Sequence, residues 1–262
     1  MHHPALRTST RQRLCALLAL GVLPLGAAAC GSDDDAEAAD DLRAYCADVI
    51  VLDQMFQQLD AEDPPAFEAA LAAAAPVVDR IVAAAPDELD DEYTVIDTAF
   101  DEVVESGSPE AYFTPQVTEA NDAVHRHDVA NCGWTVAEIA LEDFHYGGTF
   151  PSEPGSVSFD VTNTGAEAHA LIVARKLDAV EGSALDAFNG LESEEAFPTA
   201  FEPAASVFAE PGDSAHGLAQ LEPGEYIVFC PIPTGTAGEE SVGDGPPHFV
   251  HGMVTSFVVA SA

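Results

Sequence analysis

Apolar positions recur along the chain at two different periods. From Asp41 to about Ala130 the spacing is helical. "LRAYCADVIVLDQMFQQLD" sets Val49, Leu52, Phe56 and Leu59 on one stripe, and "PPAFEAALAAAAPVVDRIVAAA" opens with proline at a helix N-terminus. Pro76 lies inside that second segment and predicts a kink or a break, because proline has no N–H to give the preceding turn. "DELDDEYTVIDTAFDEVVES" follows with Leu89, Val95, Ile96, Phe100 and Val103 as its apolar set, and with acids at the start, where the helix dipole favours them. "TPQVTEANDAVHRHDVANC" is a weaker fourth helix. Four short helices with short links predict a small bundle over residues 41–132. His125 and His127 stand two apart, on different helix faces, and are expected at the surface.

At Trp134 the period becomes two. "WTVAEIALEDFHY", "SVSFDVTNTG", "HALIVARKL", "GLAQLEPGEYIVFC" and "GMVTSFVVA" alternate or run apolar between Gly- and Pro-rich turns. "SALDAFNGL" interrupts them as a short helix-like excursion, and "SVFAEPGDS" is a strand edge with a turn. Seven or so strands predict an antiparallel sandwich or barrel over residues 133–262. The fold class is therefore α+β in two domains, a small helical bundle followed by an antiparallel β-sandwich. His145 and His216 lie near turns and are expected to be solvated.

The first residues belong to neither pattern. Arg7, Arg11 and Arg13 precede the apolar "LCALLALGVLPLGAAAC", which is too short to span a bilayer and reads as a secretory signal over residues 1–29. The three alanines before Cys30 resemble a bacterial lipobox, with Ala27 where leucine is usual, which implies lipidation of Cys30. Residues 30–40 are an acidic tract expected to act as a solvated tether. The expected location is the outer face of the cytoplasmic membrane, with the lipid as anchor.

Charge narrows the partners. After Cys30 the chain has five basic residues, Arg43, Arg80, Arg126, Arg175 and Lys176, against all 46 acidic ones, a formal charge of −41. Nucleic acid is excluded on electrostatic grounds, and an anionic membrane surface would repel the folded part. Such an excess fits life at high salt, where screening is nearly complete.

Cysteine use fits an oxidising compartment. With Cys15 in the signal and Cys30 lipidated, Cys46, Cys132 and Cys230 remain, an odd number. Cys46 and Cys132 flank the bundle and are expected to pair. Cys230 is then the odd thiol, which a metal would hold.

The chemistry concentrates in "YIVFCPIPTGTAGEESVGDGPPHFVHGM", residues 226–253, where a Cys, two His and a Met stand between two strand-like segments. "FPSEPGSVSFDVTNTGAEAHALIV" and "LEPGEYIVFC", followed by His248, four residues and Met253, resemble the cupredoxin (blue, type 1 copper) family over about half the chain. The resemblance implies a Greek-key sandwich and one copper ion held by His169, Cys230, His248 and Met253. His251 is the alternative imidazole, and the Pro246–Pro247 pair favours His248 by stiffening the backbone ahead of it. Two imidazoles and a thiolate suit both copper oxidation states, and a weak axial thioether tunes the potential. The departure is a gap of seventeen residues between Cys230 and His248, where the family has only a few. The helical half resembles segments of actinobacterial lipoproteins, a likeness that carries no activity with it.

The leading expectation is a membrane-tethered, extracytoplasmic copper protein that carries single electrons to or from a redox partner protein. The alternatives are a copper carrier or sensor with the same ligands, and a metal-free cupredoxin-like module acting through the helical domain, which would bind a partner protein. No enzyme is expected: the chain has no Gly-x-Ser-x-Gly, no metallohydrolase histidine cluster, no nucleotide loop and no second set of copper ligands.

Overall fold

The computed structural model describes residues 33–57, 63–238 and 241–261. The signal segment, Cys30 and Leu59 lie outside the described residues. Helix α1 spans Asp33–Phe56, α2 Pro64–Ala84, α3 Asp90–Ser106 and α4 Pro115–Asn131. α1 therefore begins inside the stretch expected to be a tether.

α2 runs through Pro76 without a break, so the expected split does not occur. One lost backbone bond and a ring clash cost about 3 kcal/mol in a helix interior. Phe67, Leu71 and Ala74 before the proline, and Val77, Val78 and Ile81 after it, are all buried, and that burial offsets the cost. The inward face of α1 is also shifted from the expected stripe: Tyr45, Cys46 and Ile50 are its buried residues, while Val49, Leu52 and Phe56 are half-buried. The cause is polar as well as apolar. The Tyr45 hydroxyl donates to the buried Asp128 carboxylate at 2.9 Å and lies 2.7 Å from the Tyr93 hydroxyl. Cys46 is joined to Cys132 in a disulfide that closes the bundle from first helix to last.

The sandwich has two four-stranded sheets. The first orders β2 (His145–Gly148), β1 (Thr135–Glu142), β3 (Gly155–Asn163) and β6 (Ser214–Leu221). The second orders β5 (Phe201–Ala209), β4 (His169–Lys176), β7 (Gly224–Phe229) and β8 (Val254–Val259). Every pair is antiparallel except β1 with β3. That parallel pair arises because β2 folds back on β1 as a hairpin and the chain then returns along the other side of β1. Leu141, Phe159, Leu171, Val173, Val228 and Met253 are among the fully buried residues between the sheets. The short helix α5 (Ala184–Asn189) covers the outer face of the second sheet, where Ala174, Ile227 and Phe229 are buried.

The bundle packs on the β6 edge. Asp53 accepts from the Leu218 N–H at 2.9 Å, and the Gln57 amide donates to the Leu218 carbonyl at 3.1 Å, so two α1-end side chains satisfy a sheet edge left unpaired. Trp134 and Leu218 share one apolar cluster with Ile81, Tyr93, Ile96 and Val124 of the helices.

Candidate metal centre

Strand pairing brings the ligand candidates to one end of the sandwich. β4 starts at His169 and its antiparallel neighbour β7 ends at Phe229, so both termini point the same way. The β7–β8 register pairs Phe229 with Val254, which leaves Cys230 opposite Met253; the Cys230 N–H donates to the Met253 carbonyl at 3.1 Å. Residues directly opposite each other share a sheet face, and both of these belong to the inner core cluster. A short 3-10 turn, His248–His251, sits between the two, and the Met253 N–H donates to the His248 carbonyl at 3.1 Å.

The long gap between Cys230 and His248 closes on itself. The His248 N–H donates to the Ile232 carbonyl at 2.9 Å and the Phe249 N–H to the Cys230 carbonyl at 3.0 Å. Above that neck, Thr234 bonds the Pro246 carbonyl through both its N–H and its hydroxyl, at 3.0 and 2.7 Å. The insertion thus has a pinched base, and the two ligand candidates remain neighbours.

His169, Cys230 and His248 are fully buried, and one donor atom from each lies within 4.8 Å of the others. His169 Nδ1 is 3.0 Å from His248 Nδ1, which is 3.4 Å from Cys230 Sγ. Such separations suit donor atoms sharing one ion about 2 Å from each. Met253 is fully buried beside them, while His251 is exposed and its ring lies 5.1 Å from that of Phe144. The donor set of two imidazoles, a thiol and a neighbouring thioether is soft, which favours copper over the hard oxygen-seeking cations.

The surroundings hold these groups firmly. The Ala170 N–H donates to Cys230 Sγ at 3.3 Å. Burial pushes the Cys230 thiol up and the His169 imidazole down from their ordinary pKa values, which disfavours the charged form of each in the metal-free protein. The outer nitrogen of each imidazole meets a carboxylate: His169 Nε2 with Asp143 Oδ1 at 3.2 Å, and His248 Nε2 with Glu167 Oε2 at 3.0 Å. Burial raises the Asp143 carboxyl, but the Ala166 N–H, the His169 ring and the Glu167 N–H outweigh it and hold the group below its usual range. Phe144 takes a left-handed backbone, φ 63°, that lays its ring edge-on to His248 at 5.2 Å. Asn163 donates from one amide to the Glu167 and Ala209 carbonyls, each at 2.9 Å, and ties the His169 loop to β5.

Asp143, Phe144 and Glu167 were missed by sequence reasoning. Glu167 carries a weak signal, standing two residues before His169; Asp143 carries none, since its partner is 26 residues away. Four other histidines are corrected or placed. His125 and His127 are largely buried, with 11 and 13 % side-chain exposure, because His125 meets Asp160 of the sandwich and His127 meets Glu88 in the turn before α3. His216 lies on β6 and is half-buried, its ring stacked on that of His125 at 3.6 Å. His145 is exposed, as expected.

No protein-family model matches this chain, and no curated protein matches it. Among solved structures, it is similar to the dithionite-reduced auracyanin of Roseiflexus castenholzii, at 20 % identity and a TM-score of 0.31, over 48 % of this chain and 98 % of that one. It is also similar to auracyanin A, a "blue" copper protein of Chloroflexus aurantiacus, at 19 % identity and a TM-score of 0.32, over 48 % and 99 %. A blue copper oxidase of Nitrosomonas europaea matches at 13 % identity and a TM-score of 0.23, over 48 % of this chain and 44 % of that one.

Proposed function

We propose that the sandwich would bind one copper ion through His169, Cys230 and His248, with the Met253 thioether as a further donor, and that the protein carries single electrons. The observation that carries this reading is the convergence of two imidazole nitrogens and one sulfur, all fully buried, within 4.8 Å of one another. Copper held by such donors supplies one-electron chemistry near a potential set by the thioether and by the bonds to sulfur. The Ala170 N–H on Cys230 Sγ is a bond of that kind. Ligands placed on paired strands and on a pinched loop move little when charge changes, which keeps the reorganisation accompanying electron transfer small.

The same reading places the protein outside the cytoplasmic membrane, tethered by a lipid on Cys30, and gives it no enzymatic activity of its own. The Cys46–Cys132 disulfide agrees with an oxidising compartment. A copper carrier or sensor would use the same ligands without a redox partner.

The test is metal analysis with a visible spectrum of the purified mature chain. One copper per chain with an intense thiolate-to-copper band, lost in Cys230→Ser, is the expected result. A chain that takes up no copper would return the sandwich to a structural or interaction role. Reversible one-electron cycling with fast self-exchange would separate the electron carrier from the copper carrier.

A further inference from the structure

Each imidazole at the candidate centre is held between the site and a carboxylate. Asp143 Oδ1 meets His169 Nε2 at 3.2 Å and Glu167 Oε2 meets His248 Nε2 at 3.0 Å. A carboxylate accepts, so each Nε2 carries the N–H and each Nδ1 is left with its lone pair toward the centre. The two Nδ1 atoms stand 3.0 Å apart and His248 Nδ1 stands 3.4 Å from Cys230 Sγ. Two lone pairs that close repel unless a proton or a cation lies between them. The carboxylates thus set both rings in the tautomer that a metal requires before any metal arrives.

Both acids are themselves held by hydrogen bonds, although the Asp143 side chain is 43 % exposed against 24 % for Glu167. Asp143 Oδ1 accepts from the Ala166 N–H at 2.8 Å and from the Glu167 N–H at 3.4 Å. Gly165 makes room for this: a Cβ there would fall 2.5 Å from Asp143 Oδ1 and 2.7 Å from His169 Nε2. Glu167 Oε2 also accepts from the Gly235 N–H, and the Ala168 N–H donates to the Thr236 carbonyl at 2.8 Å. Glu167 therefore links His248 to the insertion between Cys230 and His248. The insertion is part of the site's support and not a passive bulge.

We propose that Asp143 and Glu167 are a pair of positioning residues that favour the oxidised over the reduced copper ion and so hold the potential of this site low; the inference rests on the copper reading above. The sign follows from charge. An anion on the outer nitrogen makes the imidazole a stronger donor and stabilises the more positive ion more than the less positive one. Removing one such partner from a metal ligand typically costs about 10- to 100-fold in metal affinity.

The experiment is a redox titration of copper-loaded Asp143→Asn, Glu167→Gln and the double variant against wild type, with separate Cu(II) and Cu(I) competition affinities. Asp244→Asn, an exposed acid of the insertion, controls for charge alone. Each of the two single variants is expected to lose Cu(II) affinity about tenfold more than Cu(I) affinity, which raises the one-electron potential by about 59 mV. The double variant should shift further and the control should not. Melting of the metal-free chains separates a folding defect from a tuning effect, since a purely structural role lowers the melting temperature and leaves the potential in place. A wild type with the thiolate band whose potential is matched by both variants overturns this inference and leaves the copper reading standing. A wild type without copper overturns the copper reading, and this inference with it.

Discussion

His169 Nδ1 and His248 Nδ1 face each other at 3.0 Å, although 79 positions separate the two residues in the chain. His251, only three residues from His248, is exposed and turned toward Phe144. The two imidazoles of the C-terminal loop therefore have unequal claims on the site. His248→Ala is expected to abolish the thiolate-to-copper band, and His251→Ala to leave it nearly intact. Visible spectra of the two copper-titrated variants decide this, and loss of the band in His251→Ala alone would reassign the ligand.

The disulfide joins residues 86 apart. On the chain-entropy account, a loop of that length stabilises the fold by about 4 to 5 kcal/mol, less whatever order the reduced chain keeps. The effect should fall on the bundle, whose ends the disulfide joins. Cys46→Ser with Cys132→Ser is expected to lower the melting temperature of the helical signal well below that of the sandwich. Thiol titration of the unreduced, denatured, metal-free mature chain, with Cys15 removed and Cys30 lipidated, should find one reactive thiol, Cys230. Peptide mapping that shows Cys46 or Cys132 unpaired in the native chain would contradict the fold.

Self-repulsion should make stability depend on salt. The described ion pairs of Arg and Lys are with Asp40, Asp48, Asp178 and Glu225, against 46 acidic residues in the chain. Screening lengths fall from about 10 Å at 0.1 M salt to about 3 Å at 1 M. Melting temperature is expected to climb across that range in sodium chloride, and a flat response would mean that the acids are compensated locally.

The change of period at Trp134, the strands and the placement of ligand candidates at strand ends could be read from the chain because burial is periodic and the donors flank apolar runs. What could not be read depends on contacts between distant segments. Asp143 looks like any acid after a strand until Gly165 and His169 are brought against it. His125 looks like a solvent-facing histidine on a polar helix until β6 supplies His216 as its stacking partner. Pro76 has the strongest helix-breaking preference in the chain, yet it yields to six buried neighbours on one face. Local propensity gave way in each place where tertiary burial was large.

The His125–His216 stack joins the two domains and should leave a mark on acid stability. The rings lie 3.6 Å apart and 5° from parallel, and His125 Nε2 is bonded to Asp160 Oδ1 at 3.1 Å. Burial, then the neighbouring His125, push the His216 imidazole down to about 4, with Asp160 pulling weakly the other way. An unfolded chain would take up that proton near pH 6.5. Above pH 6.5 both states are neutral at this ring and it contributes no pH dependence. Between pH 6.5 and 4 the unfolded state binds a proton that the folded state does not, so stability falls as the pH is lowered. At pH 4.5 the loss amounts to about 2 to 3 kcal/mol relative to pH 7. Asp53, across the same junction, opposes it. Burial raises that carboxyl to about 6, so acidification through pH 6 relieves a buried charge and restores stability. The wild type should therefore show a shallow net slope from this pair, and single substitutions should expose each half. Denaturant unfolding of His216→Asn at pH 7 and 4.5 is expected to show a smaller acid loss than wild type, and Asp53→Asn a larger one. Parallel pH profiles for all three chains would show that neither group is shielded at the junction as the structure places it.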